Sequence, residues 1–142
     1  MRAATLCLIN KIRVQHGELP LLDNGRLDNA AQGHSEDMVA KNYFEHTSPS
    51  GEKFDTRIAA TGYVPAGWAY ELGENIDYGT LFLATPSKAV EDWMHSPEHR
   101  ANILNGEFRE SGVGVAPAVP AGEADGQPGA TYTQDFGVLA SG

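Results

Sequence analysis

The sequence predicts an α+β domain in which helices are layered on a small antiparallel sheet. Apolar residues recur at helical spacing in most segments before residue 105, and strand-like segments come late in the chain. Helices followed by antiparallel strands are typical of layered α+β folds. The length of 142 residues is that of one domain, predicted to span 1–142, which can bury a core without metal or disulfide support.

The first predicted helix covers residues 3–16. Its apolar face is formed by residues three and four positions apart, which are Thr5, Leu8, Ile9 and Ile12. Lys11 and Arg13 are expected to face away from the core, and Gly17 ends the helix. Cys7 is the single cysteine and lies among apolar neighbours, so we expect a buried, unreactive thiol.

The second predicted helix covers residues 24–42 and begins at a cap formed by Asp23 or Asn24. Its buried face is expected to contain Leu27, Ala30, Ala31, His34 and Met38. His34 therefore lies on or beside the apolar face. A packed structural histidine is favoured there over a residue that reaches a cleft.

The middle of the chain is predicted to alternate turns with short elements. Residues 43–53 form a turn-rich loop, and a short helix at 54–61 follows it and ends at Gly62. A short strand is expected within residues 67–77. The loop contains His46, and Glu74 follows Gly73 at the probable end of the strand.

Two further helices begin at a hydroxyl residue followed by proline. These pairs are Thr85-Pro86 and Ser96-Pro97, and each offers an N-cap hydroxyl and a proline at the first helical position. The second helix runs to about Leu104. Ser96 is therefore predicted to be a helix cap and not a nucleophile, although His99 follows it by three residues.

The last segments are predicted to be strands at 112–115 and 131–136. Residues 117–129 between them are rich in Pro, Gly and Ala and indicate a long hairpin loop, not a linker between domains.

The composition excludes some classes of binding partner. The formal net charge of −9 argues against a nucleic-acid binder and against attraction to anionic lipid, and it suits a monomer. No segment approaches the roughly 20 apolar residues that cross a bilayer. The first residues do not have the pattern of a signal peptide, so we expect that a leader is absent from this sequence.

Three candidate site residues lie far apart in the sequence beside turn or helix-start residues. They are His46, Glu74 and His99. Imidazole and carboxylate groups bind metal ions or move protons near neutral pH. We expect the three to meet in one cleft, with His46 and His99 as ligands of a divalent metal such as zinc and Glu74 nearby. His95 is instead expected to be a solvated residue at a helix end.

Two functional hypotheses remain, together with a purely structural reading of the same cluster. The first is a non-catalytic binding domain whose cleft holds a small molecule, lipid, protein ligand or metal. The second is a metal-assisted or acid–base hydrolase of peptide bonds, with Glu74 as base. The chain contains no G-x-S-x-G, H-E-x-x-H, phosphate-binding loop or paired-cysteine zinc motif.

The order of its motifs resembles the bacterial branch of the CAP superfamily, also called the SCP-like extracellular domain. The matching segments are Asn10 to Arg13, Tyr43 to Gly51, Gly73 to Ile76, Trp93 to Leu104, Gly112 to Gly114 and Tyr132 to Phe136. Each motif alone is weak, but six in order are specific.

The resemblance implies an α-β-α sandwich, a secreted or cell-surface location and a cleft with two histidines and two acids. His46, Glu74 and His99 match three of these positions. The second acid of eukaryotic members corresponds to Ser96 here, so the set of four is incomplete. Activities in the family are varied, and fold alone does not determine function.

Overall fold

The computed structural model describes residues 1–124 and 126–141. The helices are α1 (Arg2–Gln15), α2 (Gly25–Ala40), α3 (Phe54–Ala60), α4 (Pro86–Met94), α5 (Pro97–Leu104) and α6 (Ala121–Ala124). The strands are β1 (Leu22–Asp23), β2 (Ala69–Thr80), β3 (Glu110–Ala116) and β4 (Gly129–Ala140), and a 3-10 turn covers Leu81–Ala84. The α+β class is confirmed. Within the described residues no helix is long and apolar enough to span a bilayer.

The sheet has the order β1-β3-β4-β2. β2 pairs antiparallel with β4 in a continuous register from Ala69 opposite Ala140 to Thr80 opposite Gly129. β3 pairs antiparallel with the other side of β4. The two-residue β1 adds a parallel pair to β3, which the sequence pattern did not predict because so short a strand has no alternation to detect.

Helices cover both faces of the sheet, which confirms the α-β-α sandwich. On one face, α1, α4 and α5 bury a core that includes Ile9, Trp93, Ile103, Tyr132 and Phe136. On the other, α2 and α3 bury a smaller core of Leu27, Ala30, Ile58 and Tyr63. The middle of β2 and β4 is therefore covered by helices on both faces, and the polar residues in it are buried.

Two expectations for α1 were wrong. Arg13 is fully buried, and its guanidinium donates to the carbonyls of Leu19, Ile103 and Asn105 at 2.8, 2.8 and 3.0 Å. The helical period placed it beside the apolar face, and carbonyls that end α5 satisfy its donors. Cys7 is exposed, because the buried face passes through Thr5 and Ile9 instead.

Two caps begin helices where they were predicted. The Asn24 side chain accepts from the backbone N–H of Arg26 at 3.0 Å and of Leu27 at 3.2 Å. The Thr85 hydroxyl accepts from the N–H of Lys88 at 3.2 Å. The loop predicted at 117–129 contains the short α6, and its residue 125 lies outside the described residues.

Gly114 allows α2 to lie directly on β3. A Cβ at this position would be 2.2 Å from the backbone nitrogen of Gln32, far inside van der Waals contact. α2 is held there by the Gln32 side chain, which donates to and accepts from the backbone of Val115 at 3.0 and 2.8 Å.

We predict that Gly114→Ala destabilises the protein by at least about 2 kcal/mol, because the added methyl group forces α2 away from the sheet. Urea unfolding measures the change. Gly33→Ala is the matched control, since a Cβ there meets nothing within 4 Å in the interior of α2. It is expected to be neutral or stabilising by about 0.5–1 kcal/mol. Equal effects of the two variants would contradict this account.

Candidate functional site

The Glu74 carboxylate is the centre of a buried polar cluster. Glu74 lies in the middle of β2 and faces α2 and α3, and its side chain has no solvent exposure. Both of its oxygens accept from Nη2 of Arg57 at 2.9 Å. Its Oε1 also accepts from Nδ1 of His46 at 3.0 Å. Two donors from different segments therefore hold one carboxylate.

Arg57 is the partner that the sequence analysis missed. It lies on α3, is 8% exposed, and its Nη1 also donates to the carbonyl of Glu52 at 3.3 Å. A basic residue on a helix of only seven residues has no local pattern that predicts its burial. The contact with Glu74 depends on how α3 packs against β2, which only the tertiary structure shows.

The ionised state of Glu74 follows from its neighbours. Burial alone would raise the pKa of this carboxyl group. Hydrogen bonds from His46 and Asp135 and the charge of Arg57 outweigh burial and hold the pKa of Glu74 below its usual value. Glu74 is therefore an anion at neutral pH.

The anion determines the tautomer of His46. A carboxylate can only accept, so Nδ1 of His46 carries the proton and donates it to Glu74. With the proton on Nδ1, the lone pair of a neutral imidazole is on Nε2. The His46 side chain is 46% exposed, so this nitrogen lies where a solvent-borne ligand or metal can reach it.

His34 is a packed histidine, as predicted. It is fully buried on α2, and its Nε2 donates to the carbonyl of Glu45 at 2.9 Å. Burial lowers the pKa of His34 by more than the nearby Glu74 charge raises it, so the ring is neutral. Its bond to Glu45 fixes the loop one residue before His46.

Asp135 is a second acid in the cluster. It lies opposite Glu74 in the register of β2 and β4 and is fully buried. As a carboxylate it would have no donor for either oxygen. Burial, followed by the charge of Glu74, raises the pKa of Asp135 well above its usual value. When protonated, Asp135 can donate to Glu74, its neighbour across the two strands.

The third candidate, His99, lies on the other side of β2. It is in the first turn of α5, and its backbone carbonyl accepts from Nδ2 of Asn75 at 3.1 Å. Asn75 is adjacent to Glu74 in the strand and therefore faces the opposite side of the sheet. No hydrogen bond among the described residues joins the His99 ring to His46 or Glu74. Burial, then the positive charge that His46 carries when it is protonated, lowers the pKa of His99.

The prediction for Ser96 was partly wrong. Ser96 occupies the N-cap position of α5, but its side chain makes no capping hydrogen bond. Its hydroxyl lies 2.8 Å from Nδ1 of His99 instead. The hydroxyl therefore contacts the imidazole three residues later and not a backbone N–H at the start of α5. His95 is exposed as expected, with Nδ1 2.8 Å from the carbonyl of Glu91.

Two asparagines and a glycine attach α5 to β2. Nδ2 of Asn102 donates to Oδ1 of Asn75 at 2.9 Å and to the carbonyl of Glu74 at 3.2 Å. A Cβ on Gly73 would be 2.9 Å from the Phe108 ring, so only glycine allows this approach. The side of the site with Glu74 and the side with His99 are both attached to β2, so their relative position is fixed.

The geometry limits how a metal can bind. In the described part of the chain, no group of three or more His, Cys, Asp or Glu side chains is arranged to hold a metal ion. Both oxygens of Glu74 already accept hydrogen bonds from Arg57 or His46. His46 and His99 are the two nitrogen donors that remain, and their joint role as metal ligands stays a prediction.

The comparisons with known proteins agree with the resemblance. The model of the CAP family, described as the cysteine-rich secretory protein family, matches residues 6–135. The chain is 37% identical over 131 residues to the uncharacterized protein YkwD of Bacillus subtilis (strain 168), covering 91% of this chain and 44% of YkwD. It is 40% identical over 110 residues to the uncharacterized membrane protein YlbC of the same organism, covering 78% and 30%.

Solved structures share the fold. An extracellular protein containing a SCP domain from Bacillus anthracis str. Ames is 30% identical, with a TM-score of 0.75 over 95% of this chain and 39% of that one. An outer surface protein of Borrelia burgdorferi has a TM-score of 0.77 at 16% identity, over 97% of this chain and 92% of that one, and supports the fold alone. The chain spans less than half the length of the curated relatives it matches.

We predict that the stability advantage of the wild type over Asp135→Asn falls as pH rises. The raised native pKa of Asp135 means that the native state keeps a proton that the unfolded chain loses above about pH 4. The contribution of Asp135 to the free energy of unfolding is largest below that pH. Above it the contribution declines, by up to about 1.4 kcal/mol per pH unit. Asparagine does not titrate but can still donate to Glu74.

Urea unfolding of both proteins between about pH 4 and pH 8 measures the difference. Asp135→Leu is the control, since it has similar bulk and no donor, and it should be less stable than Asp135→Asn. Parallel stability curves for the wild type and Asp135→Asn would show that Asp135 is not the proton carrier.

Proposed function

Because the chain belongs to the CAP, or cysteine-rich secretory protein, family, we propose that it is a non-catalytic binding domain of a secreted or cell-surface protein. The location is supported by the similarity to an extracellular protein of Bacillus anthracis. The described chain is proposed to be one folding unit, and its relatives extend well beyond the matched region. Its binding site is the open surface around His46 and His99.

One observation supports the binding proposal most strongly: both oxygens of the Glu74 carboxylate already accept hydrogen bonds within the protein. Its side chain is buried, its oxygens accept from Arg57 and His46, and its pKa is lowered. A general base must reach the proton of its substrate and hold it well enough to transfer it. Glu74 does neither, so its role is to orient His46.

The proposed ligand contacts are the imidazole nitrogens. Nε2 of His46 offers a lone pair to a donor or metal, and His99, whose pKa is lowered, offers a second largely neutral ring. Two nitrogen donors do not fit a closed structural zinc site, which needs four ligands. They fit a weakly held divalent metal whose other positions belong to water or to a ligand. Bound there, the metal would supply Lewis acidity and an attachment point for an anionic group.

The alternative function is a hydrolase that uses the same surface. The contact between Ser96 and His99 favours it, because a hydroxyl 2.8 Å from an imidazole is the pair that nucleophilic catalysis needs. The pair lacks the third group that orients the base. No acid among the described residues bonds the His99 ring. The role of Ser96 is therefore proposed to be the orientation of His99.

We predict that Zn²⁺ binds weakly to the wild type and that His46→Gln and His99→Gln each reduce its affinity by at least about tenfold, since each removes one of two nitrogen ligands. Isothermal titration calorimetry measures the affinity. His95→Gln is the control, because His95 is an exposed histidine at the end of α4. Binding should weaken below about pH 6.5 as imidazole protonates. Unchanged affinity in both site variants would refute a shared metal.

We also predict that Ser96 does not react with a fluorophosphonate probe. Ser96→Ala should lower stability by no more than about 1 kcal/mol and shift the ¹⁵N resonances of the His99 ring, because the lost contact is to that ring. Thr85→Ala is the matched comparison, since the same hydroxyl–proline motif there makes a true cap, worth about 1 kcal/mol. Covalent labelling at Ser96 would instead support the hydrolase.

A further inference from the structure

We propose that the open edge of β2 at residues 69–73 binds an extended, positively charged peptide segment as an added strand. This surface is separate from the imidazoles of His46 and His99 and goes beyond the function proposed for them. The partner is a peptide, recognised by its backbone and by its charge.

β2 is an edge strand, since it pairs with β4 on one side and ends the order of the sheet. Its register with β4 runs without a bulge from Ala69 to Thr80. Residues 69–73 contain neither lysine nor proline, which natural edges use to prevent pairing. The strand therefore keeps a straight edge that another strand can extend.

Three hydrogen bonds show which backbone groups face outward. The carbonyl of Glu74 accepts from Nδ2 of Asn102, and that of Ile76 accepts from Nε1 of Trp93 at 2.9 Å, so both point away from β4. On the other side, the carbonyl of Gly137 accepts from the N–H of Arg109 at 3.1 Å and so faces β3, not its partner Leu72. Outward groups alternate along an antiparallel strand. Those of Tyr70 and Leu72 must also face outward.

The outward backbone groups of these two residues have no hydrogen-bond partner in the described part of the chain. The side chains of Asn102 and Trp93 satisfy the edge at Glu74 and Ile76. At Tyr70 and Leu72, the hydrogen bonds of the described residues include no partner for the outward N–H or C=O. Ala69, Tyr70 and Glu71 are exposed and Leu72 is half-buried, so a partner from solution can reach this end of the edge at Tyr70 and, in part, at Leu72.

The side chains around this edge select the occupant. Trp68 is 42% exposed and Tyr70 is 56% exposed, which offers aromatic surface to an apolar residue of the added strand. Glu71 is an exposed acid on a chain with net charge −9. A second copy paired antiparallel about Glu71 would bring two such acids together, which is unfavourable. A cationic peptide has the opposite charge and is favoured over self-pairing.

The test is amide hydrogen exchange of the protein with a blocked peptide of alternating lysine and valine. We expect the amides of Tyr70 and Leu72 to exchange rapidly in the free protein, while Glu71 and Gly73 are protected by β4. The peptide should slow exchange at Tyr70 and Leu72 by at least about tenfold. An otherwise identical peptide of glutamate and valine should not.

Tyr70→Pro removes one outward N–H without breaking a bond to β4 and should weaken peptide affinity by about tenfold. Tyr70→Val keeps the N–H and loses only the ring, so its loss should be smaller. His46→Gln should bind the peptide as the wild type does, which separates this surface from the imidazole site. Unchanged exchange with the cationic peptide, equal binding by Tyr70→Pro, or concentration-dependent dimers paired through this edge would each overturn the proposal.

Discussion

The buried Glu74 carboxylate, held by Arg57, is the interaction on which the rest of the site depends. A carboxylate without solvent is costly unless donors surround it. Arg57 from α3, His46 from the preceding loop and the proton of Asp135 from β4 provide those donors. The same contacts join α3 and the loop before it to β2 and β4, so this one charge both holds α3 against the sheet and sets the tautomer of His46.

β2 connects the two sides of the surface because successive residues face opposite layers. Glu74 faces α2 and α3, whereas Asn75 faces α5 and holds the carbonyl of His99. Asn102 then bonds both residues of the strand. A movement of α5 against the sheet would have to break these bonds, so His99 has a fixed position relative to His46.

The buried residues of the cluster differ from the two histidines that a ligand can reach. Glu74, Arg57, His34 and Asp135 are buried, while His46 and His99 keep part of their rings in contact with solvent. Such a pattern suits recognition, since the exposed groups are pre-oriented at no further cost on binding. It suits acid–base catalysis less well, because the acids are hidden from any substrate.

Local patterns alone determined much of this protein. Helical spacing and the Asn24 and Thr85 caps predicted the main helices, and ordered motifs predicted the family and named His46, Glu74 and His99. Local patterns could not show that Arg13 is buried, that Ser96 serves His99 instead of the helix, or that Arg57 and Asp135 complete the site. Those contacts join residues brought together only by the packing of helices on the sheet. The charge state of a group depends on that packing, because burial and neighbours, not residue type, determine which acid keeps its proton.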